Sequence, residues 1–543
     1  MNRLPIIYIR GYAGSTSGID AQVDDPFYGF NHGATHVRVG GKGEPRFYQF
    51  EGPMLRLMID HDYQLLVHGD QRSFLESAEP DSVAANSIWV YRFYDQAATT
   101  FVEQPHRGIL SRLFTEAQNQ LTAKGFNIES AALGLLDLID LLAEKVNSPD
   151  KRVILVAHSM GGLVARCMIQ KIAVKHGRSP KELVARLFTY GTPHGGIVFQ
   201  NGVLNWFEDV IGPAGSDIFA PQNMYGYLEP NHNYGDEPAD GEQWDPQSIP
   251  DDVLDVDDVF CLIGTNSKDY GVSKKVVGPK SDGLVRIEHA YVRKAHRAFV
   301  FKAHSGPYGE VNSEEGYQNL RRFLFGRWKA RVDLVDLPTG PIDQGNNGSQ
   351  SWQADIRLAV RGMSVVLSEQ RADQYSPIQL DDEMARRQDS PDHPVPLLTT
   401  FLLDLATPRR EVPTVEEEVV AKHGGIARYS LTLRVSKLTE HDRSFDFSEH
   451  LEQVFDWADT AIFDIGPDDA GTGLRAWANW NTDVPGALDD FDPRSSQPRQ
   501  LTRISPGQWQ FDFPLLQAGR SLPCLGPQSK LRITITDRAQ ASA

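Results

Sequence analysis

A chain of 543 residues is longer than one ordinary hydrophobic core supports, which points to two domains. Its 40% hydrophobic, 23% charged and 10% aromatic residues are those of a folded soluble protein. A formal charge of −18 argues against nucleic acid and against electrostatic attachment to anionic lipid, though not against transient apolar contact with a lipid surface. Cys167, Cys261 and Cys524 are too few for a disulfide framework, and the first two fall in apolar runs where a buried free thiol is expected. The opening residues pass straight into Ile6-Ile7-Tyr8-Ile9, a core-strand pattern and not a cleavable signal. No apolar run approaches the roughly 20 residues that span a bilayer. A reducing, cytoplasmic setting is the expectation.

In chain order, apolar strand-like runs alternate with helical patterns from Leu4 to about Trp328, the signature of an α/β domain with a mostly parallel sheet and helices on both faces. The strand runs are Leu4–Ile9, Ile88–Tyr94, Val153–Ala157, Ala185–Tyr190, Val259–Ile263 and Ala298–Ala303. Ile128–Val146 carries leucines and isoleucines at helical spacing and is closed by Ser148-Pro149, and Ser313–Phe325 is a second amphipathic helix. Two segments, about 19–85 and about 197–258, interrupt the alternation. Structureless loops of that length do not suit a compact domain, so both are read as insertions folded over the sheet, as plain elaboration or as a cap on the substrate pocket.

Beyond residue 328 the texture changes to short, mostly alternating runs separated by Gly, Pro, Asp and Ser: Arg331–Leu337, Trp352–Val360, Met363–Ser368, Leu398–Leu405, Ala427–Val435, Leu474–Asn481, Gln508–Phe513 and Lys530–Thr536. Residues 329–543 therefore read as an all-β, sandwich-like domain with Phe445–Trp457 as its one helix.

The most informative run is Val153-Ile154-Leu155-Val156-Ala157-His158-Ser159-Met160-Gly161-Gly162. A buried strand stops at a serine and a helix starts at once, the pattern of a nucleophile elbow. The turn needs small residues two before and two after the serine. Gly161 meets this, and Ala157 replaces the usual glycine while staying small. The new helix also directs its N-terminal dipole and free N–H groups at developing negative charge. After the first strand, Arg10-Gly11-Tyr12 makes a glycine turn, so the amides of Tyr12 and Met160 are the candidate oxyanion donors.

The partners should follow in the order acid, then histidine. His158 adjoins the serine and is expected to point elsewhere across the elbow. His194 precedes any suitable acid, and His289 and His296 flank the approach to the last strand. His304 directly follows that strand and opens a loop, so position selects it as the base. Asp282, in Lys280-Ser281-Asp282-Gly283-Leu284-Val285, is the candidate acid, with Asp269 the competitor closer to a strand end. The acidic stretch from Asp236 to Asp258 lacks the spacing of an EF-hand and reads as a solvated loop; no metal or organic cofactor is required.

Together these residues resemble the lipase and esterase branch of the α/β-hydrolases. Ala157-His158-Ser159-Met160-Gly161-Gly162 is similar to the serine motif of small bacterial lipases. Gly191-Thr192-Pro193-His194-Gly195-Gly196 resembles a segment that those lipases share with PGAP1-like hydrolases, and Ser281-Asp282-Gly283-Leu284-Val285 resembles the motif carrying the lipase acid, which reinforces Asp282 over Asp269. Arg10 departs from the histidine that commonly precedes the oxyanion glycine. The resemblance implies a Ser159–His304–Asp282 serine hydrolase acting on small-molecule or lipid carboxylic esters through an acyl-enzyme. An acyltransferase, a thioesterase or amidase, and a silent binding protein of the same fold are the rival readings.

Overall fold

The computed structural model describes residues 3–11, 38–39, 45–46, 51–65, 71–91, 127–197, 217–239, 241, 243–269, 277–305, 309–338, 350–380, 395–403, 415–439, 452–467, 474–486 and 491–541. By internal contacts these fall into two compact units. One holds Asn2–Arg297 with Phe301–Tyr317, the other Ala298–Val300 with Gln318–Ala543.

A seven-stranded sheet is formed by β1 (Ile6–Ile9), β2 (Gln64–Leu65), β3 (Ser87–Tyr91), β4 (Val153–His158), β5 (Val184–Tyr190) and β6 (Val259–Gly264) of the first unit with β7 (His296–Val300), in the order β7-β6-β5-β4-β1-β3-β2. The registers from β2 to β6 are parallel, with Ile6 of β1 opposite both Ile88 of β3 and Ile154 of β4. Every residue of β1, β4 and β6 is buried. That two-sided burial is why these runs are continuously apolar instead of alternating. Helix α1 (Glu51–His61) precedes β2, helix α2 (Ile128–Lys145) precedes β4, and helix α3 (Met160–Cys167) leaves β4 directly. Asn127 caps α2, its Oδ1 accepting from the N–H groups of Glu129 and Ser130 at 2.9 and 3.2 Å.

The two expected insertions are described in part. Residues 64–65, inside the stretch taken as insertion over the sheet, instead supply the edge strand β2. Within the second insertion, four carbonyls are held by two buried cations, Arg166 in α3 and Lys171 just beyond it. Arg166 donates to the carbonyls of His194 (3.2 Å), Pro246 (2.7 Å) and Ser248 (2.8 Å). Lys171 donates to the carbonyls of Gly226 (2.5 Å) and His232 (2.8 Å) and pairs with Glu129 at 2.6 Å. Both side chains are fully buried, so these bonds replace the hydration the cations lose. Burial lowers the Arg166 guanidinium to about 10.

The second unit carries two antiparallel sheets. The first orders β11 (Val395–Leu402), β8 (Trp328–Val335), β17 (Lys530–Asp537), β16 (Gln508–Pro514) and β15 (Thr502–Ser505). The second orders β10 (Val365–Gln370), β9 (Gln350–Val360), β12 (Ala427–Thr439), β13 (Glu452–Pro467) and β14 (Leu474–Trp480), with the short strand Ile378–Gln379 also on β9. Leu334, Ile533 and Phe513 of one sheet and Ile356, Leu433 and Phe463 of the other share one apolar core, the packing of a β-sandwich. Trp480 stacks on Phe513 at 5.0 Å across it.

The helix expected over Phe445–Trp457 is corrected where it is described: from Glu452 onward the chain is strand β13, paired with β12 from Glu452↔Thr439 to Ile465↔Ala427. Pairing to a long neighbouring strand overrides the weak local helical pattern. A helix does form at Val415–Lys422, where Glu416 meets the buried Arg321 and Arg322. Cys167, Cys261 and Cys524 are free and buried. Among the described residues no helix is long and apolar enough to cross a membrane.

Candidate active site

The site begins where β4 becomes α3. Ser159 has φ 54° and ψ −128°, a backbone conformation that L-residues rarely adopt and that costs of order 1–3 kcal/mol. The surrounding bonds hold it there. Its N–H donates to the Tyr190 carbonyl at 2.9 Å, and its own carbonyl accepts from Thr192 Oγ1 at 2.9 Å and from the Gly162 N–H at 3.0 Å. A Cβ on Gly161 would lie 2.5 Å from the Ile9 carbonyl oxygen, and one on Gly162 2.1 Å from Thr192 Oγ1. The two glycines are therefore what let the elbow lie against β1 and the Gly191-Thr192-Pro193 loop.

His304 follows β7 and reaches back over the sheet. Its Nε2 lies 3.0 Å from Ser159 Oγ, and its Nδ1 lies 2.7 Å from Asp282 Oδ2. A carboxylate accepts, so Nδ1 carries the proton and Nε2 is free to take one from the serine. Asp282 is held in turn: Oδ1 accepts from the Leu284 and Val285 N–H groups at 2.8 and 2.7 Å, and its carbonyl accepts from the His304 N–H at 2.9 Å. The three side chains are almost wholly buried. Asp269 is exposed, accepts from Asn266 Nδ2 at 2.6 Å, and makes no bond to His304.

His158 does not point away, as its position beside Ser159 suggested. Its Nε2–H donates to the His304 carbonyl at 2.9 Å and its ring packs on the His304 ring at 4.7 Å. Burial, and then the neighbouring His304, push it well below the ordinary imidazole range, so it stays neutral. His194 is also buried and neutral, with Nε2 3.1 Å from Thr189 Oγ1, burial being the first cause and Arg166 the second. His289 donates to the Gly196 carbonyl at 2.9 Å, and His296 lies 3.4 Å from Asp257.

Of the two oxyanion candidates, Met160 is the first residue of α3 and buried. Tyr12 lies outside the described residues. Gly11, just before it, approaches so closely that a Cβ there would sit 2.8 Å from Ser159 Cβ. Sequence reading missed one member of the neighbourhood altogether. Glu310 is fully buried, with an oxygen within 4.8 Å of ring nitrogens of both His158 and His304. No motif marks it.

A seven-stranded sheet with a serine at the tight turn after β4, and an acid and a histidine following β6 and β7, is the arrangement of the α/β-hydrolase fold. Residues 66–211, which include β3, β4, β5 and the elbow, match the family model described as PGAP1-like alpha/beta domain. No curated protein matches the chain significantly. Among solved structures, a lipase from Bacillus licheniformis in its mature form is similar at 19% identity and a TM-score of 0.22. That match covers 32% of this chain and 64% of the lipase, so the chain spans somewhat less than two thirds of it. Phospholipase PlaB from Legionella pneumophila is similar at 10% identity and a TM-score of 0.30, covering 83% of this chain and 92% of PlaB. The same phospholipase in complex with thio-NAD is similar at 12% identity and a TM-score of 0.27, over 83% and 91%.

Proposed function

We propose that the protein is a serine hydrolase that cleaves carboxylic esters through an acyl-enzyme on Ser159. The observation that carries this is the unbroken hydrogen-bond chain from Ser159 Oγ through His304 to Asp282. Ser159 attacks the ester carbonyl while His304 Nε2 takes its proton, and Asp282 holds the ring in the Nδ1–H form and stabilises the imidazolium. The Met160 and Tyr12 amides receive the oxyanion at the N-terminus of α3. His304 then gives the proton to the leaving alcohol; it next takes a proton from water, whose oxygen attacks the acyl carbon, and returns that proton to Ser159 Oγ as the acid leaves.

A series of acyl esters of increasing chain length, assayed on wild type and Ser159→Ala, tests this together with covalent labelling by a fluorophosphonate. Turnover and label on Ser159 are expected in wild type only. Turnover that persists in the variant would overturn the reading. The two-domain division at residue 328 belongs to the same proposal: the hydrolase lies in 1–328, and the β-rich 329–543 binds substrate, stabilises the catalytic domain or mediates assembly.

A further inference from the structure

Glu310 stands six residues after His304 on a backbone fixed at both ends. Its N–H donates to the Ala303 carbonyl at 2.9 Å, and its carbonyl accepts from Ser313 Oγ at 2.7 Å. The side chain is wholly buried, yet neither carboxyl oxygen makes a hydrogen bond among the described residues. The space it occupies is shared with the Asp282–His304 pair. A Cβ on Gly191 would fall 2.2 Å from Glu310 Oε1, 2.9 Å from His304 Nδ1 and 3.0 Å from Asp282 Oδ2. One on Gly264 would fall 2.8 Å from Asp282 Cβ and 3.2 Å from Glu310 Oε2. Two backbone positions are thus stripped of side chains around a pocket that holds two carboxyl groups.

Two buried carboxyls this close do not both ionise, and the donors decide between them. Asp282 has three, from Leu284, Val285 and His304. Glu310 has only the approach of the Gly264 amide, short of a full hydrogen bond, and among the described residues no lysine or arginine pairs with it. The titratable groups that face it are Asp282 on the loop after β6, His304 and His158 on either side, and Tyr190 at the end of β5.

We propose that Glu310 is a positioning residue for the triad, a carboxylic acid kept in its neutral form whose O–H dipole stabilises the Asp282 carboxylate from behind and so sets the basicity of His304. The inference rests on the Ser159–His304–Asp282 reading above. Burial, with the Asp282 charge second and the Gly264 amide opposing them, pushes the carboxyl well above the usual carboxylate range, in keeping with that neutral form. Removing the dipole leaves Asp282 less well neutralised, so it holds a proton on His304 more tightly and the acid limb of activity moves to higher pH. Ionising Glu310 in alkaline solution adds a second negative charge to the dyad and alters the rate there.

The test is the rate of Ser159 labelling by a fluorophosphonate across pH, for wild type, Glu310→Gln and Glu310→Leu. The Gln variant still offers a donor and is expected to keep the acid limb while losing any alkaline transition. The Leu variant is expected to label at least about threefold more slowly on the acid limb and normally at its plateau. Wild-type acid limbs in both variants, with an unchanged alkaline limb in Gln, would overturn the proposal while leaving the triad reading intact. Absence of label on Ser159 in wild type would overturn the triad reading itself. If the Leu variant does not fold, the alkaline limb of wild type against Gln still decides.

Discussion

Asp282 uses Oδ1 on two backbone amides and Oδ2 on His304. An amide in its place keeps the shape but presents His304 with a donor or a poorer acceptor, and the ring turns to the wrong tautomer. Asp282→Asn is expected to lower kcat by about 10⁴-fold with little change in KM. Steady-state kinetics on any ester the enzyme accepts checks this. Glu310 makes a separate thermodynamic forecast. Its carboxyl ionises on unfolding but resists doing so when folded, so its stability cost grows as pH rises above the usual carboxylate range. Glu310→Gln is expected to melt above wild type by a margin that widens from pH 5 to 8 in thermal scans; a constant margin would show that Glu310 is already ionised. The juxtaposition of Ser159, Asp282 and His304 was legible because Ser159 and His304 follow apolar strand runs and Asp282 lies in a short local motif. Glu310, Thr192 and His158 were not, since their roles come from chain segments that meet only in the fold.

At the scale of elements, the elbow is a turn that tolerates no added side chain. Gly161 faces backbone oxygens of β1, which cannot rotate aside as a side chain would. Gly161→Ala is expected to lose both thermal stability and Ser159 labelling, whereas Thr192→Val, which removes one brace on the Ser159 carbonyl, costs about 0.5–1.5 kcal/mol. Circular dichroism melts of the two variants separate these outcomes. In the sandwich, Arg361 and Arg428 both meet the buried Asp464 at 3.0 and 3.3 Å. Asp464→Ala removes the shared carboxylate from two buried guanidinium groups and is expected to cost about 3–5 kcal/mol in denaturant unfolding. The strands of both units were largely legible from their apolar runs and alternation. The first residues described in β13 were not, because they are held by a neighbouring strand and not by their own periodicity.

For the whole molecule, stability should fall as pH drops through about 6.5. His158 and His194 are neutral in the native state and take up protons once unfolded, so the unfolded chain binds more protons and gains on acidification. In Glu310→Gln, which lacks the opposing carboxyl, a melting temperature that holds steady from pH 7 to 5 would contradict this. Arg166 and Lys171 carry a further consequence. A lipase whose cap swings must first open, and turnover of dispersed substrate then starts slowly and quickens when an interface appears. Here the carbonyls of Gly226, His232, Pro246 and Ser248 are moored to two buried cations on the very run that leaves the nucleophile, so we expect the described part of that stretch to act as a wall and not a door. Progress curves on monomeric esters should therefore be linear from the first seconds, with no burst of new activity as substrate crosses its solubility limit.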